Sequence, residues 1–351
     1  MFIVGLGTAA PSQRYTQREC WNVFEKSPLS RQLNSRSRAI VRTVLTGKNG
    51  IISRHLSLNS LEEAFDLTPN ALHVRFSKNA TSLALLAAQR ALADGQIQPG
   101  QVDGLIISTC TGYLCPGLTS YISEQLGLPS SALTLDLVGQ GCVAAMPNLR
   151  TAEAHLTSGS CQRVLSICVE ICSAALYFDN DPGVLVSACL FGDGAAAALL
   201  ANEPNGNRRV QWKSSGSLLQ PSDRELLRFD HKDGMLRNIL LPQVPGRAAE
   251  HAATVMKNVL TAADISRKEV VGWVLHPGGR DVLLALREKL GLTEHDTRWS
   301  ASVLSEFGNL SSPSVLFVLQ AALADAAPGG FWWMSSFGAG FSCQGALLEV
   351  E

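Results

Sequence analysis

A cysteine, a histidine and an asparagine are the residues of this sequence best placed to carry chemistry. Cys142 lies in the segment VGQGCVAAMP (138–147), where a predicted strand runs into two glycines and a helix opens at the cysteine. Glycine permits a tight, sterically exposed turn, and a helix N-terminus stabilises negative charge. We therefore expect a nucleophilic thiol with a lowered pKa. A buried structural cysteine on a glycine-rich turn would give the same local pattern.

The histidine and the asparagine each lie where one predicted element gives way to another. His276 ends an apolar strand and precedes Pro-Gly-Gly, and functional sites gather at strand ends in α/β folds. Asn309 lies in GNLSSPS (308–314), a Gly-Asn turn that leads into a helix. A lone histidine also serves structural roles, and asparagine is a common helix cap and turn residue. Neither residue identifies a site by itself.

The sequence contains no motif typical of a metal site, a dinucleotide site or a phosphate-binding loop. No grouping of His, Cys and Asp has the spacing of metal ligands, so we expect no metal site. No GxGxxG segment opens a helix, and the spacing of a phosphate-binding P-loop is missing. The nine cysteines form an odd set without a CxxC pair. This usage is unlike a secreted disulfide framework and predicts a reducing compartment, the cytoplasm, in which most of these thiols are buried.

The composition excludes several classes of protein. With 351 residues, of which 46% are hydrophobic and 17% charged, the chain has enough apolar material for a large core and does not resemble a disordered protein. Its 29 Lys and Arg nearly balance 30 Asp and Glu. Because no general basic field results, we do not expect a nucleic acid partner.

Two apolar segments raise the question of export or membrane insertion. The first residues, MFIVGLGTAAPSQRY, have no basic region before a short apolar run, so we do not expect a signal peptide. The most apolar stretch is 183–201, and Gly192, Asp193 and Gly194 interrupt it. It therefore predicts two buried strands joined by a turn, and no membrane span.

The elements that would position the three candidate residues alternate between strand and helix, which indicates an α/β fold with mostly buried sheets. The predicted strands are Phe2–Thr8, Val102–Cys110, Leu133–Val138, Val164–Ile171, Val270–His276, Phe331–Ser336 and Gly345–Val350. The predicted helices are Ser82–Ala93, Cys142–Leu156, Ala248–Thr261, Asp281–Leu290 and Ser311–Ala324.

Two short echoes indicate an internal repeat. IQPGQVDG (97–104) is followed by LIIS, and ISRKEVVG (265–272) is followed by WVLH. FGDG (191–194) and FGAG (337–340) are each followed a few residues later by ALL. Each match alone is weak, but the two occur in the same order. Together they predict a duplicated α/β unit.

The duplication predicts two halves, 1–203 and 204–351. The polar segment EPNGNR (203–208) contains Pro and Gly and is the best candidate for the linker between them. Cys142 would then belong to the first half, and His276 and Asn309 to the second. A site built from all three residues must lie where the halves meet.

The combined motifs resemble the type III polyketide synthases, the chalcone synthase-like branch of the thiolase superfamily. The resemblance rests on GLGTAAP (5–11), CTGYLCPG (110–117), the turn around Cys142, LFGDGAAA (190–197), HPGG (276–279), GNLSSPSVLFVL (308–319) and SFGAGF (336–341). It implies a thiolase-like five-layered αβαβα fold and a homodimer. It also implies an acyltransferase that uses CoA thioesters directly, without another cofactor or a carrier protein.

The resemblance assigns the chemistry residue by residue. Cys142 would accept the acyl group of an acyl-CoA starter, and His276 and Asn309 would complete the triad. Iterative decarboxylative Claisen condensation with malonyl-CoA would follow, and then cyclisation to a pyrone, a resorcinol or a related polyketide. His276 would hold Cys142 as a thiolate, and His276 and Asn309 would donate hydrogen bonds to the thioester oxygen of malonyl-CoA.

The resemblance also implies residues that shape the reaction cavity. Phe191 would be the gatekeeper aromatic between the CoA tunnel and the cavity. Gly338 and Gly340 would belong to a glycine loop, in which Ala339 replaces the proline of the plant enzymes. Asn238 gives the best match to the second gatekeeper, which is a phenylalanine in plants. These departures leave the detail of the cavity open.

Further cavity positions bear on the size of the substrate. Ala175 replaces a threonine of the plant enzymes and Cys172 lies three residues earlier, so a wider tunnel for a longer acyl chain is expected. Phe229 would instead fill space in the same cavity. Cys110 and Thr111 join the substrate-binding set through the CTGYLCPG motif.

The CoA-binding side is predicted from basic residues near the N-terminus. Lys48 matches a family position, and Arg42 and Arg38 lie on the helical stretch that meets CoA in relatives. The two arginines equally suit a solvated surface. Gly279, at the end of HPGG, completes the predicted CoA-binding set.

Three alternative functions share part of this pattern. A 3-oxoacyl-ACP synthase III-like enzyme would use the same Cys/His/Asn set for one condensation on a carrier protein. A thiolase would use a second cysteine such as Cys343, but Asn309 stands where a thiolase has histidine. A non-catalytic partner subunit would lack the nucleophile, whereas Cys142 is intact.

Overall fold

Strands and helices alternate along the chain, as the sequence predicted. The computed structural model describes residues 1–206, 209–325 and 327–351. The strands are β1 Phe2–Ala9, β2 Arg14–Thr16, β3 Ser53–His55, β4 Gly104–Ser108, β5 Leu133–Leu137, β6 Arg163–Glu170, β7 Gly194–Ala201, β8 Val210–Leu219, β9 Leu227–Lys232, β10 Met235–Leu240, β11 Val270–Leu275, β12 Gly330–Gly338 and β13 Ser342–Val350.

The helices are α1 Gln17–Lys26, α2 Pro28–Gln32, α3 Ser35–Thr46, α4 Pro69–Asp94, α5 Leu118–Leu126, α6 Ala145–Thr157, α7 Pro182–Leu190, α8 Val244–Ala262, α9 Arg280–Leu290, α10 Arg298–Phe307 and α11 Ser314–Ala324. None of these described helices is both long and apolar enough to cross a lipid bilayer.

One element predicted as a strand is a helix. The first part of the apolar stretch 183–201 forms α7, and only its second part forms a strand, β7. The side chain of Asp181 caps α7 by accepting from the backbone N–H of Gly183 at 2.8 Å, and Pro182 occupies a first-turn position. These are helix-start signals. The helix is apolar nearly all round because it is buried, which hides the helical period in the sequence.

The sheet repeats one arrangement of four strands. Nine strands follow the order β11-β12-β13-β8-β1-β7-β6-β4-β5. Strand β4 is parallel to β6, β6 is antiparallel to β7, and β7 is antiparallel to β1. Likewise β11 is parallel to β12, β12 is antiparallel to β13, and β13 is antiparallel to β8. The same order and directions in both runs confirm the duplicated α/β unit that the echoes predicted.

Alternation of side chains along the strands produces five layers. In β12, Trp332 and Met334 face the core that contains α6 and α11, whereas Trp333 faces the core that contains α8 and α9. In β7, Ala196 and Ala198 face α6 and α11, whereas Ala195, Ala197 and Leu199 face α4 and α5. Because strand side chains alternate between faces, α6 and α11 form the central layer and the other two helix pairs form the outer layers.

The two runs of strands meet at a single ladder pair, Phe2 with Gln211 of β8. The predicted linker at 203–208 lies near this junction, although residues 207–208 lie outside the described residues. The boundary between 1–203 and 204–351 stays a prediction. The central helix layer contacts both runs, so a site between them is supported from both sides.

Candidate active site

The Cys142 turn differs from the predicted helix start. After β5, Gly139 and Gly141 adopt left-handed φ angles of +80° and +59°, which favour glycine. Gly141–Val143 then forms a short 3₁₀ turn, and α6 begins only at Ala145. Cys142 therefore precedes the helix rather than opening it. Its side chain is buried, with 9% of the residue exposed.

Strand β12 of the second half holds this turn in place. The hydroxyl of Ser336 donates to the carbonyl oxygen of Cys142 at 2.9 Å. Gly338 packs directly against the turn, because a Cβ atom there would lie 2.6 Å from Val143 N and 2.7 Å from Gln140 O. Only glycine fits this approach without a shift of backbone. The two halves thus position the nucleophile together.

Asn309 is fixed by both its side chain and its backbone. Its Nδ2 donates to the carbonyl of Gly278 at 3.1 Å, and its Oδ1 accepts from the N–H of Ser311 at 2.8 Å. Its backbone N–H donates to Leu190 O at 2.9 Å, and its carbonyl accepts from Gly192 N–H at 3.0 Å. The amide therefore lies between the loop after His276 and the segment that carries Phe191.

His276 follows β11 and is almost fully buried, with 1% exposed. Its backbone N–H donates to Ser335 O at 2.9 Å. Its ring meets Phe337 edge to face, with centroids 5.2 Å apart. Neither ring nitrogen has a hydrogen-bond partner among the described residues. Since buried ring nitrogens ordinarily find partners, this imidazole is a candidate for contact with a substrate.

Ser311 is a site residue that the sequence analysis missed. Its Oγ donates to Cys142 Sγ at 3.2 Å and lies 3.7 Å from Cys110 Sγ. The backbone of Ser311 has a left-handed φ of +59°, which is unusual for serine. Its position in the sequence could have indicated this role, because Ser311 follows the predicted site residue Asn309 by two residues in GNLSS.

A buried carboxyl group behind the site was also missed. Glu170 accepts from Ser312 Oγ at 2.6 Å, Thr111 Oγ1 at 2.9 Å and Cys110 N–H at 3.0 Å. Burial raises the pKa of the Glu170 carboxyl above its ordinary value. These bonds tie the segment of Cys110 and Thr111 to the loop that carries Asn309. Glutamate at the end of a buried strand gave no sequence signal beyond its polarity.

Burial sets the charge state of the proposed nucleophile and base. It raises the pKa of Cys142 to about 12, although the Ser311 hydrogen bond opposes the change. It also lowers the pKa of His276 to about 3. The expectation of a lowered thiol pKa was therefore wrong, because loss of solvation outweighs the turn and the nearby helix start. The folded site therefore favours a neutral thiol and a neutral imidazole, rather than the thiolate held by His276 that the resemblance implies.

The buried imidazole makes acid stability testable. Its pKa is about 3 in the folded protein and ordinarily 6.5, so the unfolded chain binds more protons between these values. The contribution of His276 to the free energy of unfolding should then be fully present above pH 6.5. It should fall as the pH drops, by up to about 1.4 kcal/mol per pH unit. Between pH 7 and 5, we expect wild type to lose roughly 2 kcal/mol more than His276→Gln in urea unfolding. Equal losses in the two proteins would contradict the buried neutral imidazole.

A cavity of about 570 Å³ opens at Cys142. The predicted cavity residues that line it are Thr111, Cys172, Ala175, Phe191, Asn238 and the opposing candidate Phe229. Ser311 and Ala339 complete the wall beside the nucleophile. Asn238 is largely buried, at 9% exposed. The structure thus brings most of the predicted substrate-binding positions to one chamber.

The remaining predicted positions lie around this chamber without lining it. Cys110 lies behind Ser311. Gly338 supports the Cys142 turn, and Gly340, at φ +74°, follows Ala339 in the same loop. The roles of these residues stay predictions.

The predicted CoA-binding residues form a looser group. Lys48 and Arg42 are exposed, Arg42 on α3 and Lys48 just after it. Gly279 caps the start of α9, and the next residue, Arg280, donates to the carbonyl of Lys48. Lys48 and Gly279 are therefore brought near each other through Arg280, and contact with CoA stays a prediction.

Family models match almost the whole chain. The model described as FAE1/Type III polyketide synthase-like protein matches residues 15–217. The model for the C-terminal domain of chalcone and stilbene synthases matches residues 219–348.

Similar proteins of known name cover most of this chain. A 3,5-dihydroxyphenylacetyl-CoA synthase of Streptomyces toyocaensis is 29% identical over 99% of this chain and 89% of its own. The alpha-pyrone synthesis polyketide synthase-like Pks18 of Mycobacterium tuberculosis is 29% identical over 86% of this chain and 80% of its own.

Solved structures have the same fold. PKS-I of the brown alga Ectocarpus siliculosus superposes with a TM-score of 0.90 at 27% identity, covering 99% of this chain and 97% of that one. The 1,3,6,8-tetrahydroxynaphthalene synthase of Streptomyces coelicolor gives 0.88 at 22% identity, covering 99% of each chain, which supports the fold alone. The predicted thiolase-like five-layered fold is confirmed. Because the two family models together account for nearly all of the sequence, the chain belongs to the type III polyketide synthases, which are decarboxylating condensing acyltransferases.

Proposed function

We propose that this enzyme loads an acyl-CoA starter on Cys142, extends it with malonyl-CoA and releases a cyclised pyrone, resorcinol or related polyketide. One observation carries the proposal. Cys142 lies in the wall of a partly open pocket of about 570 Å³. Asn309 is hydrogen-bonded to Gly278, two residues after His276, and to Ser311, which donates to Cys142 Sγ. Hydrogen bonds thus link the nucleophile, the proposed amide donor and the loop of the proposed base at one wall of this pocket.

Loading transfers the acyl group between two sulfur atoms. Cys142 Sγ attacks the thioester carbon while a nitrogen of His276 takes the thiol proton. The bond between the acyl carbon and the CoA sulfur breaks, and CoA leaves as a thiol after receiving that proton. The Ser311 hydroxyl, which donates to Sγ at 3.2 Å, stabilises negative charge that develops on the sulfur.

Decarboxylation requires donors for the thioester oxygen of malonyl-CoA. Loss of CO2 leaves negative charge on that oxygen as an enolate. The Asn309 amide has two N–H donors, and one of them is held by Gly278 O at 3.1 Å. That bond fixes the amide and leaves the second N–H for the oxygen. The enolate carbon then attacks acyl-Cys142, a carbon–carbon bond forms, and the bond to Sγ breaks.

Small side chains on one wall favour an aliphatic starter. Ala175 and Cys172 both line the cavity, so the wall recedes where relatives carry larger residues. Each methylene buried there contributes about 0.8 kcal/mol. A relative named for alpha-pyrone synthesis and one named for 3,5-dihydroxyphenylacetyl-CoA synthesis support a pyrone or resorcinol type of product.

Replacing Ala175 tests the predicted starter size. We expect KM of wild type to fall with each added starter carbon until the cavity is filled, by up to about fourfold per methylene. Ala175→Phe should shorten the preferred starter, and the exposed Ala301→Phe on α10 is the control. Phe229 lines the same cavity and could close it. If wild type prefers acetyl- or malonyl-CoA and Ala175→Phe leaves the profile unchanged, the aliphatic starter is wrong.

The function itself is tested by product analysis. Purified enzyme receives malonyl-CoA with a panel of acyl-CoAs and no carrier protein, and products are identified by mass spectrometry. We expect masses equal to a starter plus several two-carbon units. Turnover only with malonyl-ACP, with one condensation, would establish the 3-oxoacyl-ACP synthase III-like alternative.

Further parts of the proposal rest on the family resemblance and on cysteine usage. They are a homodimeric assembly, a cytoplasmic location and chemistry that needs no cofactor besides the CoA thioesters.

A further inference from the structure

The hairpin of β9 and β10 forms one wall of the reaction cavity. Among the described strands, these two pair only with each other, so no ladder to the large sheet holds this wall in place. Phe229 and Asn238 face each other across the hairpin, and both line the cavity. The position of the hairpin therefore sets how far these two side chains reach toward a bound starter.

The next ladder pair of the hairpin is an ion pair. Arg237 lies opposite Asp230, and because side chains alternate along a strand, both point away from the pair that lines the cavity. The Arg237 guanidinium contacts three carboxylates through three different nitrogens. Nε lies 2.8 Å from Asp179, Nη2 lies 3.1 Å from Asp181, and Nη1 lies 3.5 Å from Asp230. The arginine side chain is only 15% exposed, so salt screens these pairs less than surface pairs.

The same arginine reaches the helix that forms another wall of the cavity. One carboxylate oxygen of Asp181 accepts from Arg237, and the other caps α7 by accepting from the N–H of Gly183 at 2.8 Å. Ser187 and Ala188, further along α7, line the cavity. Arg237 therefore ties the hairpin wall to the helix wall and fixes the distance between them.

Loss of the guanidinium would leave an excess of negative charge between the two walls. Asp179, Asp181 and Asp230 would lie close together, and like charges at this separation repel. The cations that stay nearby are Lys232, which lies 3.9 Å from Asp179, and Arg228, which lies 3.4 Å from Asp230. They do not replace the contact with Asp181. We therefore expect the hairpin to move away from the start of α7.

The hairpin has a second, apolar attachment that does not depend on charge. Ile239 packs against Tyr177 and Val184 in a buried cluster. Burial of such side chains stabilises the folded chain independently of the ion pairs. Removing Arg237 should accordingly displace the wall of the cavity and leave the protein folded.

We propose that Arg237 is a positioning residue that determines starter specificity, because its ion pairs hold Phe229 and Asn238 at the depth that fits the starter. The inference rests on the proposed function and adds to it the means by which the cavity selects its substrate. Arg237 is not one of the residues that line the cavity, and it touches no reacting atom. Its effect on the reaction passes through the hairpin alone.

Arg237→Gln should flatten the preference among starters. Wild type and variant are compared with acetyl-, butyryl-, hexanoyl-, octanoyl- and decanoyl-CoA. Adjacent members differ by two methylenes, worth up to about fifteenfold in kcat/KM where a wall contacts them. In Arg237→Gln we expect the largest of these contrasts to fall below about threefold, mainly through KM. CO2 release from malonyl-CoA should stay within about twofold, because His276 and Asn309 lie on other loops.

Three further variants separate positioning from a general loss of stability. Arg287→Gln removes another partly buried arginine, 27% exposed and 3.2 Å from Glu294 on the far part of α9, and should keep the wild-type profile. Arg237→Lys keeps the charge without the planar fork, so its profile should be intermediate. Asp179→Asn should act in the same direction as Arg237→Gln. A merely structural role would lower all starters and CO2 release together.

Hydrogen exchange reports the movement of the hairpin directly. Backbone amides of β9 and β10 should exchange faster in Arg237→Gln than in wild type, and Arg287→Gln should show no change there. An unchanged starter profile in folded Arg237→Gln would overturn the inference, even if exchange is faster. If Arg237→Gln does not fold, unchanged profiles in both Arg237→Lys and Asp179→Asn would overturn it.

The wild-type measurement separates this inference from the proposed function. If wild type makes no polyketide from malonyl-CoA with any starter, the proposed function is wrong and the inference is wrong with it. If wild type makes polyketides and the variants keep its starter profile, only the role of Arg237 is wrong.

Discussion

The Cys142→Ala variant should form no polyketide and should still release CO2 from malonyl-CoA. Product formation should fall on the order of 10⁴-fold or more, because the covalent acyl carrier is lost. Decarboxylation should persist, since the enolate oxygen is stabilised by His276 and Asn309 rather than by sulfur. Product is measured by mass spectrometry, and CO2 release from labelled malonyl-CoA is measured in parallel.

Cys172→Ala is the matched control for this prediction. Cys172 is a buried thiol that lines the same cavity, so its loss should change the starter profile and leave condensation intact. Polyketide formation by Cys142→Ala at a rate near that of Cys172→Ala would contradict the assignment of the nucleophile.

Removing the Asn309 amide should slow the decarboxylation of malonyl-CoA, the step that precedes condensation. Asn309→Ala should slow CO2 release about 10²–10³-fold, the usual cost of deleting one preorganised oxyanion donor. The backbone bonds of Asn309 to Leu190 and Gly192 do not involve the side chain, so the loop should keep its course. Acyl transfer to Cys142 should be less affected, which separates the two roles.

Asn238→Ala provides the control for the amide. Asn238 is also a largely buried asparagine that lines the cavity. It lies on β10, away from the loops that carry His276 and Asn309. Its replacement should leave CO2 release within a few-fold of wild type. Undiminished CO2 release in Asn309→Ala would refute the division of labour between nucleophile and donors.

The fold was largely predictable because its signals are periodic or repeated. The echoes at 97–104 and 265–272 run into the first residues of β4 and β11, which hold equivalent positions in the two runs of strands. The order of the motifs also links Cys142, His276 and Asn309 to one family pattern. The structure adds the physical connection, since Gly278 and Ser311 both bond to the Asn309 amide.

What the sequence did not predict depends on tertiary burial. Helix α7 was predicted as a strand because burial on all sides removes the polar face that reveals a helix. The direction of the Cys142 pKa shift was wrong because desolvation cannot be inferred from a local motif.

The central claim, that Cys142 carries the growing acyl chain, is tested most directly by mapping the acyl adduct. The wild-type enzyme is incubated with a starter acyl-CoA in the absence of malonyl-CoA, digested and analysed by peptide mass spectrometry. We predict one acyl group, on the peptide that contains Cys142. An acyl group on Cys343 or Cys110, with Cys142 unmodified, would contradict the claim.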